Sequence, residues 1–581
     1  TPAAAPPAPV VAVPAGPQVG PPVTLVPAAT ARPYQLGTVS VGSVDRLLEN
    51  GVRLVGTAFP LPMTAKDVRD KLLAEAGLAP EVAANLDLGS PAGAAIVALD
   101  EQGHSGLVLA IPARGPAEAD RLIAGLGKPI MIRGPVTMIA NAAGKSQGWV
   151  YKAGSVVVLG DEVEGMARGA MLALEARRAG ADDVTAAIYP AAIAKAHGTD
   201  VKTAIAHFLE QMKEAQAAAN PVVAGDNSLS ETMGAMLGLI GDAEPIEIGL
   251  SVDPARGLLL RARLTPLPGS TLETVARDVR PFEIDPIVLP IVLPVAGKSD
   301  KGAGAARPAM IGGVSIGPFF RKMFDQIRVR LQADKGKGAT QALAYYDTFL
   351  AALGNQSSGS VTVDKAAPYI GLVFSTPLKD AAAAAKANAA LGKMDAAAMS
   401  ALLRAQLAGT SAMFEWSAKR ETVGKAKAMH FRMTVKKGSL LDTETVRRWL
   451  GGGFDAYQAV VGTRVVVTGG YDGKARLAAI ASGKKAAPVV SASFTEAEAA
   501  AKGRDGFYYF DLAPLLGLAG SAGASPFLAA AARGAGGPIP LIATAGGDGA
   551  GKVWTADLTL PVTAFKSIAA LFAAGAMAVP Q

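Results

Sequence analysis

The chain has 581 residues, no cysteine, four histidines and a formal charge of +7. Without cysteine there is no disulfide, no thiolate zinc site and no cysteine nucleophile. So small a basic excess over so long a chain leaves no footprint for nucleic acid, although it permits attraction to an anionic lipid surface. Half of the residues are apolar but only 5% are aromatic, so the expected cores are thin, and the length suffices for two large domains that each bury their own.

Residues 1–32 read as a Pro/Ala-rich extended tether. Thr1–Ala31 carries no charge, and its prolines argue against a helix. It has no basic region of its own, so a signal segment or a lipidated residue is expected just upstream of Thr1. Thr64 and Asp67 then form a capping-box pattern, with Val68, Leu72 and Ala76 as the inner face of the helix and Gly77 as its stop. Strand-like runs follow at Ala94–Asp100, Gly106–Ile111 and Val156–Leu159. Asp161, Glu162 and Glu164 open a helix that closes on Arg177, Arg178 and Gly180, a charge order that complements the helix dipole. Ile205, Phe208, Leu209 and Met212 form an apolar stripe, which predicts a helix with these side chains in the core. Asn220–Ser230 reads as a loop, and Ile246–Val252 with Leu258–Leu264 as a hairpin turning at Asp253–Gly257.

Pro281–Pro308 reads as a linker that ends in a flexible Gly297–Arg307 stretch. Within it, Pro286–Ala296 is apolar but too short and too rich in proline to cross a membrane. Beyond it come strand-like runs at Ile370–Phe374, Met429–Val435, Val465–Thr468 and Val553–Leu560, the last entered through the turn Gly546–Gly551. Gly517–Ser525 and Gly534–Gly537 read as loops, and Ile568–Val579 as a docked amphipathic helix. No transmembrane helix is expected.

The chain repeats itself. Gly106–Lys128 (GLVLAIPARGPAEADRLIAGLGK) aligns without a gap to Gly371–Lys393 (GLVFSTPLKDAAAAAKANAALGK). Gly37–Asn50 resembles Gly312–Asp325, Lys152–Gly160 resembles Val461–Gly469, Asp183–Ile193 resembles Asp505–Leu515, and Pro245–Pro266 resembles Pro540–Pro561. Five blocks in the same order point to duplication, with a period far too long for a solenoid. The expected fold is α+β: two tandem, internally duplicated domains, each an antiparallel or mixed sheet covered by helices on one face. The tether occupies 1–32, repeat domain one 33–280, the linker 281–308 and repeat domain two 309–581.

Chemistry-bearing patterns are few. Gly144-Lys145-Ser146-Gln147-Gly148 and Gly313-Val314-Ser315-Ile316-Gly317 match the nucleophile elbow of a hydrolase. The second precedes a helix, but its counterpart Thr38-Val39-Ser40-Val41-Gly42 keeps the serine without the first glycine, so Ser40 and Ser315 read as structural. Gly144-Lys145-Ser146 and Gly297-Lys298-Ser299 lack the upstream glycine of a phosphate loop, having Ile139 and Val292 there. Gly547, Gly549 and Gly551 lack the spacing of a dinucleotide fingerprint. His104, His197, His207 and His430 show no metal spacing, and each reads as an exposed or satisfied polar residue. Asp253 and Asp548 match between the copies but stand in hairpin turns, where Asp is common. Arg321, Lys322, Arg328, Arg330, Lys335 and Lys337 alternate with apolar residues as the solvated face of a core helix, with contact to an anionic membrane as the alternative.

No catalytic, cofactor-binding or metal residues are therefore expected, and no cofactor. The expected function is that of an exported, non-enzymatic protein of the bacterial periplasm or cell surface, a scaffold or subunit that meets other envelope proteins or itself. The alternative is a carrier whose sheet and helices hold a lipid or another apolar ligand.

Overall fold

A computed structural model describes residues 16–59, 62–141, 145–178, 180–219, 234, 237–289, 307–316, 318–363, 369–406, 413–439, 441–450, 452–483, 490–521 and 537–577. The chain is mixed α/β and divides into two compact units, Thr1–Glu49 with Met63–Asp200 and Asn50–Pro62 with Val201–Gln581. The second unit takes in residues 201–280, which the repeat alignment assigns to the first copy. Asn220–Ser230 and residues 297–306 lie outside the described residues.

The first unit carries β1 (Gln18–Val19), β2 (Gln35–Val41), β3 (Ala92–Ala98), β4 (Ser105–Pro112), β5 (Lys128–Arg133), β6 (Val136–Ala140), β7 (Ser146–Ala153), β8 (Val156–Gly160) and β9 (Val184–Ile188). Its strand order is β9-β2-β3-β4-β8-β7-β6-β5-β1. All pairs are antiparallel except β5 with β1. The pleat sends alternate residues to opposite faces. Ala95, Val97, Val108, Ala110 and Val158 are buried beneath the helix Val163–Ala176, whose Met166, Ala170 and Ala173 have no exposed surface. On the other face Ile139, Val150 and Val157 pack with Ala119 and Leu122 of the helix Pro116–Leu126.

The second unit carries β10 (Ala243–Asp253), β11 (Gly257–Pro266), β12 (Arg307–Ser315), β13 (Gln356–Val363), β14 (Ile370–Pro377), β15 (Phe414–Val423), β16 (Ala426–Val435), β17 (Phe454–Val461), β18 (Arg464–Gly470), β19 (Gly506–Asp511), β20 (Pro540–Gly547) and β21 (Trp554–Pro561). They form a large open antiparallel sheet in the order β10-β11-β21-β20-β19-β12-β13-β14-β18-β17-β16-β15. The predicted strands lie within these elements to within two residues, and both predicted hairpins form, β10–β11 and β20–β21.

Six expectations need correction. The N-terminal segment is docked from residue 16 onward: Gly20 N–H donates to the Ile132 carbonyl and Val26 N–H to the Ala167 carbonyl. Val23, Leu25 and Val26 pack against the core beneath them, and Ala28–Ala31 makes one helical turn in the gap between Pro27 and Pro33. Helices cover parts of both faces in each unit, not one face. The capping box forms, with Asp67 Oδ2 accepting the Thr64 N–H at 2.7 Å. Val68 is half-buried as expected, but the other half-buried residues of that helix are Ala65, Arg69 and Leu73, while Leu72 is 49% exposed and Ala76 is exposed. On the helix Val201–Ala219, Ile205, Leu209 and Met212 are half-buried while Phe208 points to solvent. Gly517–Ser521 are helical rather than loop, as the end of the helix Leu512–Ser521.

The sixth correction concerns the linker. Residues 280–289 form a strap laid along the sheet, because Phe282 and Val288 are buried against it. The serine-rich β13 supplies polar partners. Asp285 N–H donates to Ser358 Oγ at 3.0 Å, and Ser360 Oγ donates to the Val288 carbonyl. The Asp285 carboxylate accepts from Ser375 Oγ at 2.7 Å and from Arg464 Nε at 2.6 Å. At the other end of the strap Asp505 accepts the N–H of Arg280 at 2.8 Å and of Gly547 at 2.9 Å. Replacing Asp285 by Ala removes the carboxylate that Arg464, Ser375 and the Ile287 N–H bond, while the backbone bonds of the strap to Ser358 and Ser360 remain, so a loss of about 3 kcal/mol is expected, read as a lower urea midpoint. A midpoint equal to that of the unmodified protein would show that the strap rests on the sheet without holding it.

Candidate functional site

The face of the second sheet opposite the strap is covered at one end. There Met429, Phe431 and Trp416 pack beneath the helices Pro318–Ala333, Ala339–Ala352 and Ala396–Gln406. Away from that end Leu560 packs with Leu512, Ala513 and Ala564, and among the described residues the rest of the face is apolar and uncovered, with Ile248, Leu260, Leu558 and Phe374 exposed. One cross-strand row runs Leu250, Leu260, Leu558, Ala543, Tyr508, Gly312, Gly359, Phe374. The next row runs Ile248, Ala262, Ala556, Ala545, Gly506, Val314. Neither row contains a charged residue. The first crosses eight strands, about 34 Å at the usual interstrand spacing.

Glycines shape this surface. A Cβ on Gly359 would stand 2.3 Å from the Phe374 ring, and one on Gly312 would stand 2.7 Å from the Tyr508 ring. Each aromatic ring therefore lies down over a glycine of the neighbouring strand, leaving a low floor. Ile248, Leu260 and Leu558 stand 37–40% exposed around it. The depression they line, with Ala262, Val314 and Tyr508, holds about 350 Å³.

The first unit bears a comparable surface. Ile188, Gly37, Ile96 and Leu107 form one cross-strand row, and its three large side chains are 38–44% exposed. Beside it Leu107, Leu109, Leu126, Ile139, Trp149 and Leu159 line a depression of about 290 Å³. Its polar rim includes Asp161, whose carboxylate already accepts the Leu107 N–H at 3.2 Å.

The residues singled out in the sequence do not converge on either surface. Ser315 is buried and donates to the Arg280 carbonyl, and Ser40 donates to the Arg178 carbonyl at 2.9 Å. Ser146 begins β7. Asp253 and Asp548 close their turns, accepting backbone N–H groups of Ala255 at 2.8 Å and Ala550 at 3.1 Å. Gly549 and Gly551 have positive φ in the second turn. His104 sits in the β3–β4 turn against Asp100, whose hydrogen bond raises the imidazole pKa. His207 is exposed on its helix, and His197 lies just past the helix Pro190–Ala196. Of the basic region, Arg328 pairs with Asp347 at 2.7 Å while Phe324, Ile327 and Leu331 face the core, the arrangement of a core helix with a solvated side.

One polar cluster was not visible in the sequence. His430 is buried, its ring stacked on Tyr457 at 4.6 Å. Nε2 lies 2.7 Å from Asp455 Oδ1, and Nδ1 lies 3.1 Å from Glu421 Oε2. The second contact is close but misaligned for a hydrogen bond, so it is ionic at most. Lys474 bonds to Glu421 and holds that carboxyl below its ordinary pKa. The residues come from three adjacent strands and a helix, at spacings of no fixed pattern.

Among the described residues no group of three or more His, Asp and Glu is placed to hold a metal, and no helix is long and apolar enough to cross a membrane. Compared with known proteins, the chain matches no family model, no curated protein and no solved structure.

Ser315→Ala is expected to lower stability by about 1 kcal/mol, the value of one hydrogen bond, and to leave any background ester hydrolysis unchanged. Turnover present in the unmodified protein and lost in the variant would restore a catalytic serine.

Proposed function

We propose that this is an exported, non-enzymatic binding protein of the bacterial envelope that carries a lipid or another apolar ligand on its bare sheet faces. The observation that carries this reading is the uninterrupted apolar row on the second sheet, with its depression of about 350 Å³. Exposed apolar patches of this extent are uncommon on a free surface and mark sites of association. The lining offers almost no hydrogen-bonding side chain. A protein partner would be expected to meet polar groups, about one hydrogen bond per 100–200 Å² of interface, whereas a hydrocarbon chain asks for none.

Duplication belongs to the same proposal. The order β9-β2-β3-β4-β8-β7-β6-β5 in the first unit and β19-β12-β13-β14-β18-β17-β16-β15 in the second supports a topology used twice. The hairpins β10–β11 and β20–β21 complete the correspondence, and the five aligned sequence blocks fall on matching elements. Two like copies would present two like apolar faces. That likeness also favours a second reading, a scaffold or assembly subunit whose partner proteins cover those faces. Export is supported by the uncharged Pro/Ala-rich start and the absence of cysteine.

Native mass spectrometry after gentle extraction tests the carrier. A bound lipid is expected in the unmodified protein, and the double variant Leu260→Glu with Leu558→Glu should lose it while keeping its circular dichroism. Protein that is ligand-free after extraction and takes nothing from lipid vesicles would sink the carrier reading. A large oligomer by light scattering, dispersed by the same double variant, would put the scaffold in its place.

A further inference from the structure

A second cavity lies in the first unit, remote in chemistry from the apolar faces. The helix Ala65–Glu75, the turn Pro80–Ala83 and the segment Leu86–Leu88 border a half-open pocket of about 440 Å³, with Arg114 exposed in its lining, within the range of small-molecule pockets. Leu73, Leu78, Leu86 and Leu88 supply its apolar wall. Its charged residues fall into two sets. Arg69 is committed, 3.3 Å from both Asp45 and Asp70, and these carboxylates outweigh burial to hold its guanidinium pKa above the ordinary value. Asp87 and Arg114 form no ion pair, although Asp87 lies near enough to Arg177 to offset part of the cost of burying that guanidinium. Asp87 accepts only the Ser90 hydroxyl at 2.6 Å, and Arg114 donates Nε to the Leu86 carbonyl at 3.2 Å. Among the described residues neither has an ionic partner within salt-bridge distance.

The backbone explains why these two charges stand near each other without pairing. Leu86 and Ala113 form an isolated antiparallel bridge, with Asp87 N–H donating to the Pro112 carbonyl and Arg114 N–H to the Asn85 carbonyl. Asp87 and Arg114 are thus diagonal neighbours on one side of the bridge, about 7–8 Å apart at the backbone. A carboxylate and the outer edge of a guanidinium fork flank one apolar wall. Arg presents that edge to carboxylates in a bidentate geometry, and Asp87 is free to accept from an ammonium.

We infer that this cavity binds a small zwitterion with an apolar tail, of the size of a free apolar amino acid, its carboxylate on Arg114, its ammonium on Asp87 and its tail against the leucine wall. This site is independent of the apolar-carrier reading.

Titration calorimetry of the full chain with leucine, 4-methylpentanoate and 3-methylbutylamine tests it. Leucine is expected to bind, and the two singly charged probes at least 10-fold more weakly, because each leaves one charged group unpaired. Arg114→Gln and Asp87→Asn should each weaken leucine at least 10-fold. Leu73→Trp, which keeps both charges and fills the cavity, should abolish binding. Melting temperatures near that of the unmodified protein in the three variants show that a loss is local. The Leu260→Glu, Leu558→Glu protein should bind leucine as before. No heat with leucine at millimolar concentration, equal affinity for all three probes, or unchanged affinity in Arg114→Gln would overturn the assignment.

Discussion

A wide antiparallel sheet has two faces, and each strand residue must belong to one of them. That constraint governs the second unit. Its sheet is broad, and the helices that pack on it concentrate at the β15–β18 end. The opposite face carries the helices Gly473–Ala481 and Ala492–Ala500, and between them it is closed by less regular means. A strap of backbone crosses β12, β13 and β14, and a strap brings polar N–H and C=O groups into a buried layer where they must find partners. The side chains of β13 answer this requirement. Ser358 and Ser360 are almost wholly buried, an arrangement unfavourable for serine unless each hydroxyl is bonded, and each is bonded to the strap. Asp285 closes the layer by joining the strap to Arg464 and Ser375.

The two aligned hairpin segments differ where they meet within the second unit. β11 and β21 pair side by side, with Arg261 opposite Asp557. Arg261 Nε reaches Asp557 Oδ1 at 2.7 Å, and Arg504 reaches the same carboxylate at 3.2 Å. Asp557 is nearly buried, so the two guanidinium groups supply the bonds its charge requires. The aligned blocks place Ala262 where Asp557 stands, so one half carries the carboxylate alone. A charge present on one side only fixes which strands meet, since a register slip would leave it buried without a partner. The apolar rows on the opposite face depend on that register, because a shift of one residue would exchange the faces.

Local rules made much of this legible. β-branched runs bounded by Gly, Pro and Asp marked the strands, Asp253 and Asp548 marked their turns, and Thr64 with Asp67 marked a helix start. These features are decided within a few residues. What failed was decided elsewhere. Leu72 and Phe208 fit a helical stripe, but among the described residues no neighbour covers them, and periodicity cannot supply one. The strap read as a linker because proline and short apolar runs have the same composition whether or not a sheet lies beneath. The contacts of His430 with Glu421 and Asp455 arise from pairing across three strands, and Asp87 and Arg114 come near each other through a single bridge between residues 27 positions apart in the chain. Sequence spacing carries no trace of either.

The way the exposed parts of the sheet are treated bears on what the protein meets. β15 ends the second sheet, and an exposed edge strand invites another chain to add to it. Glu415, Lys419, Arg420 and Glu421 lie along β15, the usual defence against such addition. On the bare face no such defence is present. Charges could stand at Leu260 or Leu558 without disturbing the ladder, since these side chains already reach solvent. Instead the rows stay apolar over eight strands, and two aromatic rings are laid flat over glycines that would otherwise weaken the strands. A chain that guards its edge and leaves its face open is suited to association through side chains rather than through backbone pairing. The low glycine and alanine floor narrows the choice further, toward an occupant that is thin and has no hydrogen bonds to satisfy.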